Sequence, residues 1–157
     1  MLKIRRAIHD DAPVAYAIRR LAILDQCSDR YGAAAAQAWA NVPYTDGYAE
    51  LVAERFHLAC LEDTVVATGM VDLQSGELGA LFVHPDHLQQ GIARAMVAHL
   101  ERLAVTAGLG EVHLDSTLNA AAFYRRCGYV GDSLAVYHSP FGLELPCVPM
   151  RKALAPV

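Results

Sequence analysis

A chain of 157 residues, 54% hydrophobic and 19% charged, is long enough to bury a core and too apolar to be disordered. Its net charge of -4 argues against a nucleic-acid binder, which carries a basic patch, and no apolar run reaches the roughly 20 residues of a membrane span. Cys27, Cys60, Cys127 and Cys147 form no CxxC pair and lack His partners at metal spacing, so no metal centre is expected.

The opening "LKIRRA" alternates apolar and polar residues and reads as a strand, without the apolar stretch of a signal peptide. Reduced cysteines and a cytoplasmic location are expected. "DDAP" supplies helix-start residues, and Val14, Ile18, Leu21 and Leu24 follow at helical spacing. "GAAAAQAWA" reads as a second helix and "TDGYAELVAE" as a third, short one. "FHLACLED" and "TVVATGMVDL" are strands around an acidic turn at Asp63, and "LGALFV" is another, ending at His84-Pro85. His84 and His87 read as turn residues.

After Gly91, residues Ile92, Met96, Leu100, Leu103 and Ala107 form one apolar helical stripe that stops at Gly108. "EVHLDS" is a strand. Asn119 is placed to cap a helix "AAAFYRRC", which Gly128 ends. "SLAVYHS" and "LELPCVPMRK" form a last hairpin around "SPFG", with Pro146 and Pro149 pushing the final strand toward an edge or a bulge. The pattern is α+β in one domain, residues 1–157. Hairpins favour mostly antiparallel pairing, and the long crossover helix favours one parallel step.

The turn at 88–94 carries the first chemical signal. Gly91 and Ala93 are small, and Arg94 falls in the first turn of a long helix, whose free N–H groups and dipole attract an anion. A packing turn that merely needs glycine is the other reading. Neither GxxxxGKS/T nor GxGxxG is present, which excludes a P-loop and a Rossmann fingerprint.

"LFVHPDHLQQGIARAMVAHLE" resembles the acetyl-CoA-binding motif of the GNAT superfamily of N-acetyltransferases, Gln/Arg-x-x-Gly-x-Gly/Ala. Gly91 and Ala93 match it; Leu88 departs from the usual Gln or Arg. "LDSTLNAAAFYRRCGYV" resembles the family's later motif through Asn119, Phe123, Tyr124, Gly128 and Tyr129. The resemblance runs from Phe56 to Met150, and residues 1–55 match in outline. It implies a mixed, mostly antiparallel sheet of about six or seven strands with helices on both faces.

The resemblance further implies direct transfer of an acetyl group from acetyl-CoA to a primary amine of a small molecule or peptide. It assigns the pyrophosphate to Gln89, Gln90, Gly91, Ile92, Ala93 and Arg94, and the pantetheine arm to the backbone of Leu81, Phe82 and Val83. Asn119 contacts that arm or caps its helix. Arg125 or Arg126 reaches a phosphate or is a solvated charge; Arg126 is taken as the candidate. Tyr124 is the candidate acid, against a plain core aromatic. Glu77, fourteen residues before Gly91, is the candidate base, against a solvated turn carboxylate. Asp72, Asp115 and a water relay are its rivals.

The acceptor side falls to the early helices and the last hairpin. Tyr31, Trp39, Tyr44, Tyr48, Tyr137 and Phe141 are placed to line it, and Asp25, Asp29 and Asp46 to hold a cation. The acidic balance points to a small amine or a basic peptide. The same fold also admits a non-catalytic acyl-CoA sensor or an enzyme using another acyl-CoA. Dimers are frequent in the superfamily, so the resemblance admits a homodimer.

Overall fold

The computed structural model describes residues 1–155. Strand β1 (Leu2–Arg6) leads into four helices, α1 (Ala12–Gln26), α2 (Ser28–Tyr31), α3 (Ala33–Ala40) and α4 (Asp46–Arg55). Then come β2 (Phe56–Leu61), β3 (Thr64–Val71), β4 (Leu78–Val83), α5 (Ile92–Thr106), β5 (Glu111–Ser116), α6 (Ala121–Arg126), β6 (Ala135–His138) and β7 (Glu144–Ala153).

The strands form two antiparallel ladders, β1-β2-β3-β4 and β5-β7-β6. A parallel bridge between Glu77 and His113 joins them at the root of β4 and β5, where the His113 N–H donates to the Gly76 carbonyl at 3.0 Å. The expected seven-strand, mostly antiparallel architecture with one parallel step is present, but the two ladders part beyond that bridge.

Strand β2 shows how the two faces are filled. Phe56, Leu58 and Cys60 pack with Ala12, Ala15, Ala49 and Val52 of α1 and α4, while Ala59 joins the core beneath α5. That alternation is the two-residue period of a strand buried on both sides. Helix α5 buries Ile92, Met96, Val97, Leu100 and Ala104. The expected stripe holds through Leu100 and then turns to Ala104, because Ala107 is the C-cap and exposed. Gly69 lets α5 approach β3: a Cβ there would lie 2.7 Å from Met96 Cγ.

The two prolines of β7 do not mark an edge. Strand β7 is the middle of its ladder. Its first part, Glu144–Cys147, pairs with β6 and its second, Val148–Ala153, with β5. Each proline thus has a ladder neighbour on one side, and its missing N–H falls on the other.

His57 of β2 and His99 of α5 lie ring to ring under the sheet, with Nδ1 and Nε2 3.2 Å apart. Burial, then the His99 charge, lowers the His57 pKa from 6.5 to about 4. A histidine held neutral in the fold costs stability when it must protonate. Its contribution is intact above pH 6.5 and lost as pH falls toward 4. The melting temperature is expected to fall between pH 7 and pH 5, and less steeply in His57→Gln; parallel wild-type and variant curves would contradict this.

Candidate active site

Beyond the Glu77–His113 bridge, β4 bends away from β5. Ala80 adopts a left-handed backbone, φ 52°, and pairing with β3 slips between Thr68 and Met70, so two residues of β4 face one of β3. This is a β-bulge, which twists a strand and re-aims its groups. The buried Thr68 hydroxyl holds it by donating to the Ala80 carbonyl at 2.6 Å. The opening is a cleft of about 460 Å³, walled by Gly79–Phe82 on one side and Leu114–Thr117 on the other.

Tyr124 and Glu77 both line this cleft. The Tyr124 ring packs against Phe123 and Tyr129, with centroids 5.1 and 5.7 Å away, and is 8% exposed. Burial raises its pKa above the usual tyrosine value, so it stays protonated at neutral pH. Glu77 is exposed on the cleft wall, and Asp115 of β5 shares that wall. Asp72 is spent elsewhere: it accepts from the Gln74 and Ser75 N–H groups and pairs with Arg55 at 3.0 Å. Hydrogen bonds from Gln74, Ser75 and Arg55 lower its pKa.

Asn119 is not the helix cap. Helix α6 begins at Ala121, its N-cap is Ala120, and no side chain caps it. The turn places Asn119 one residue too early; instead it lines the cleft, where its Oδ1 is buried without a partner. A buried carbonyl left unpaired costs about 1–3 kcal/mol, so the site fits a ligand that donates there.

On β4, Leu81 and Phe82 line the cleft, whereas the Val83 side chain is in the core and its carbonyl accepts from Gln26 Nε2 at 3.3 Å. The turn that follows lies outside the cleft, on the surface. Gln89 and Gly91 are both left-handed, φ 59° and 77°. Among the described residues, no backbone carbonyl accepts from the N–H groups of residues 88–94, and Gln89, Gln90, Gly91 and Arg94 are exposed. Ile92 is buried in the core. A Cβ on Gly91 would meet nothing within 4 Å, so internal packing is not what requires the glycine. Left-handed backbone before free helical N–H groups is the geometry of an anion cradle.

Arg94 and Arg126 are both exposed. Arg125 donates to the Gly131 carbonyl at 3.2 Å.

The chain matches the acetyltransferase (GNAT) family over residues 10–129. It belongs to that family. The match makes the chain an acyltransferase by family, as the two motifs imply. A GCN5-related N-acetyltransferase from Rhodopseudomonas palustris is 25% identical with a TM-score of 0.89, over 97% of this chain and 95% of that one. The PaiA N-acetyltransferase from Thermoplasma acidophilum, solved with coenzyme A, is 14% identical with a TM-score of 0.73, over 98% and 99%. The ribosomal-protein-S18-alanine N-acetyltransferase from Escherichia coli is 21% identical with a TM-score of 0.69, over 100% and 96%. No curated protein matches the sequence significantly. No helix among the described residues is long and apolar enough to cross a membrane.

The aromatic end of the cleft differs from the sequence expectations. Tyr31, Trp39, Tyr48, Tyr137 and Phe141 line it, but Tyr44 does not. Asp25, Asp29 and Asp46 are exposed and off the wall. The charged residues on the wall are Arg19, Glu77 and Asp115. Tyr31 clamps the floor: its hydroxyl donates to the Pro146 carbonyl at 2.6 Å and accepts from the Leu118 N–H at 3.1 Å. Arg19 was absent from the sequence expectations, although it shares a helical face with Ala15, Ala22 and Ile23, all buried. A charge on an apolar face was the available signal.

Proposed function

We propose that residues 1–157 act as one N-acetyltransferase domain, transferring acetyl from acetyl-CoA to a primary amine within a ternary complex. The observation that carries this reading is continuity. A cleft opens where β4 leaves β5, and the same strand then runs into a turn with free N–H groups.

The pyrophosphate would rest on the N–H groups of Gln89, Gln90, Gly91, Ile92, Ala93 and Arg94, with Arg94 and Arg126 supplying charge. The pantetheine arm would run beside Leu81, Phe82 and Val83 as an added strand, with Asn119 Oδ1 accepting from an amide. Gln26 already holds the Val83 carbonyl, so Leu81 and Phe82 carry most of that contact.

Attack by a neutral amine forms the C–N bond, and the C–S bond breaks as the tetrahedral intermediate collapses. Glu77 takes the amine proton, directly or through water, and the Tyr124 hydroxyl donates toward the departing sulfur. A backbone N–H at the β4 bulge serves the oxyanion. Direct transfer is favoured over an acyl-enzyme. The cleft thiols are Cys27 and Cys147, and burial raises both pKa values, Cys27 to about 11. At pH 7 that leaves roughly one Cys27 thiol in ten thousand ionised.

In Glu77→Gln, kcat is expected to drop about 100-fold. If kcat holds there but drops in Asp115→Asn, the base is Asp115. A wild-type chain that binds coenzyme A but acetylates no amine would instead be a sensor.

A further inference from the structure

Arg19 stands half-buried on the wall of the cleft with no acid to balance it. Two of its N–H groups donate to the Trp39 and Ala40 carbonyls, at 2.8 and 3.1 Å, at the end of α3. Those bonds fix the guanidinium and leave its remaining N–H groups unspent. Among the described residues no Asp or Glu pairs with it, whereas Arg5 and Arg55 hold carboxylates at 2.8 and 3.0 Å. Its electrostatic neighbours are Tyr48, Tyr16 and Tyr137. Burial lowers its pKa, the mark of a cation that would gain from an anion beside it.

Tyr48 lies within the field of Arg19, and its hydroxyl is buried without a partner. The Tyr16 hydroxyl, by contrast, is taken by the Val42 carbonyl. Tyr137 feels both Arg19 and the carboxylates Glu77 and Asp115. Arg19, Tyr48, Tyr137 and the carboxylates Glu77 and Asp115 thus line one cleft.

We propose that Arg19 and Tyr48 form a carboxylate subsite, so that the acceptor carries a carboxylate as well as its primary amine, as an amino acid does. The carboxylate lies against Arg19 and Tyr48, and the amine faces Glu77, Asp115 and the thioester. This rests on the acetyl-transfer reading and narrows its acceptor. It disfavours a basic peptide, whose charge Arg19 would repel. One guanidinium and one hydroxyl suit a singly charged carboxylate better than a phosphate dianion. The aromatic wall favours an apolar body between the two polar ends.

The test pairs each of a panel of α- and ω-amino acids with its primary amide, under saturating acetyl-CoA. For the best acceptor, kcat/KM of the acid should exceed that of the amide at least about 10-fold. The ratio should fall below about 3-fold in Arg19→Met and decrease in Tyr48→Phe, which keeps the ring packing. Equal use of acids and amides by the wild type overturns the subsite whether or not the Arg19 variant folds. Calorimetry with the N-acetyl acids and N-acetyl amides, in the presence of coenzyme A, separates the two readings. Tighter binding of an acid without turnover of any amine upholds the subsite and removes acetyl transfer. Turnover without acid preference does the reverse. No preference in either measurement removes the subsite.

Discussion

Replacing Tyr124 with Phe is expected to lower kcat about 100-fold while leaving coenzyme A affinity within about twofold. The ring is 8% exposed and packs between Phe123 and Tyr129, so Phe keeps the packing and removes only the hydroxyl. A general acid is worth about 100- to 10,000-fold in rate, and this one belongs at the low end. Burial raises its pKa, so its donation to a developing thiolate is a strong hydrogen bond more than a completed proton transfer. For the same reason the wild-type rate should show no alkaline decline due to Tyr124 between about pH 6 and 9. Unchanged kcat in Tyr124→Phe would return Tyr124 to the core as a packing residue.

The second large effect is at the turn. Gly91→Asp should weaken coenzyme A binding at least about 100-fold, equivalent to about 2.7 kcal/mol. Two causes are mixed in that number. The left-handed φ of 77° costs a residue with a Cβ about 1–2 kcal/mol, and the new carboxylate repels phosphate. Gly91→Asn separates them, because Asn and Asp meet the left-handed backbone alike and only Asp adds a charge. A small loss in Asn with a large loss in Asp, read by calorimetry, makes the turn an anion cradle. Equal losses would make the conformation of Gly91, and not the charge at the site, the governing factor.

Much of this was legible in the sequence because it is local. The two-residue alternation in "FHLACL" is what puts β2 between two helical layers. The four-residue spacing from Ile92 to Leu100 is the buried face of α5. Gly91 was legible as a turn residue because it needs a left-handed backbone on its own account.

What was not legible depends on partners distant in sequence. Asn119 looked like a cap until the turn from Thr117 to Ala120 placed the helix start one residue later, at Ala121 instead of Ala120. Pro146 and Pro149 suggested an edge because nothing local reveals that β6 and β5 take successive parts of β7. The bulge at Ala80 is held by Thr68, twelve residues earlier. The acidic composition pointed to a cationic acceptor; Asp25, Asp29 and Asp46 are off the cleft wall, whose charges are Arg19, Glu77 and Asp115. Net charge describes the whole surface, not one pocket.

The most direct test of the central claim is to follow the acetyl group itself. Wild-type protein is incubated with isotopically labelled acetyl-CoA, with and without an amino-acid acceptor panel, and both protein and small molecules are weighed by mass spectrometry. The account predicts a labelled N-acetyl product only when an acceptor is present, and protein of unchanged mass throughout. Label on a cysteine of the chain, or coenzyme A released at the background rate with every acceptor, would contradict direct acetyl transfer.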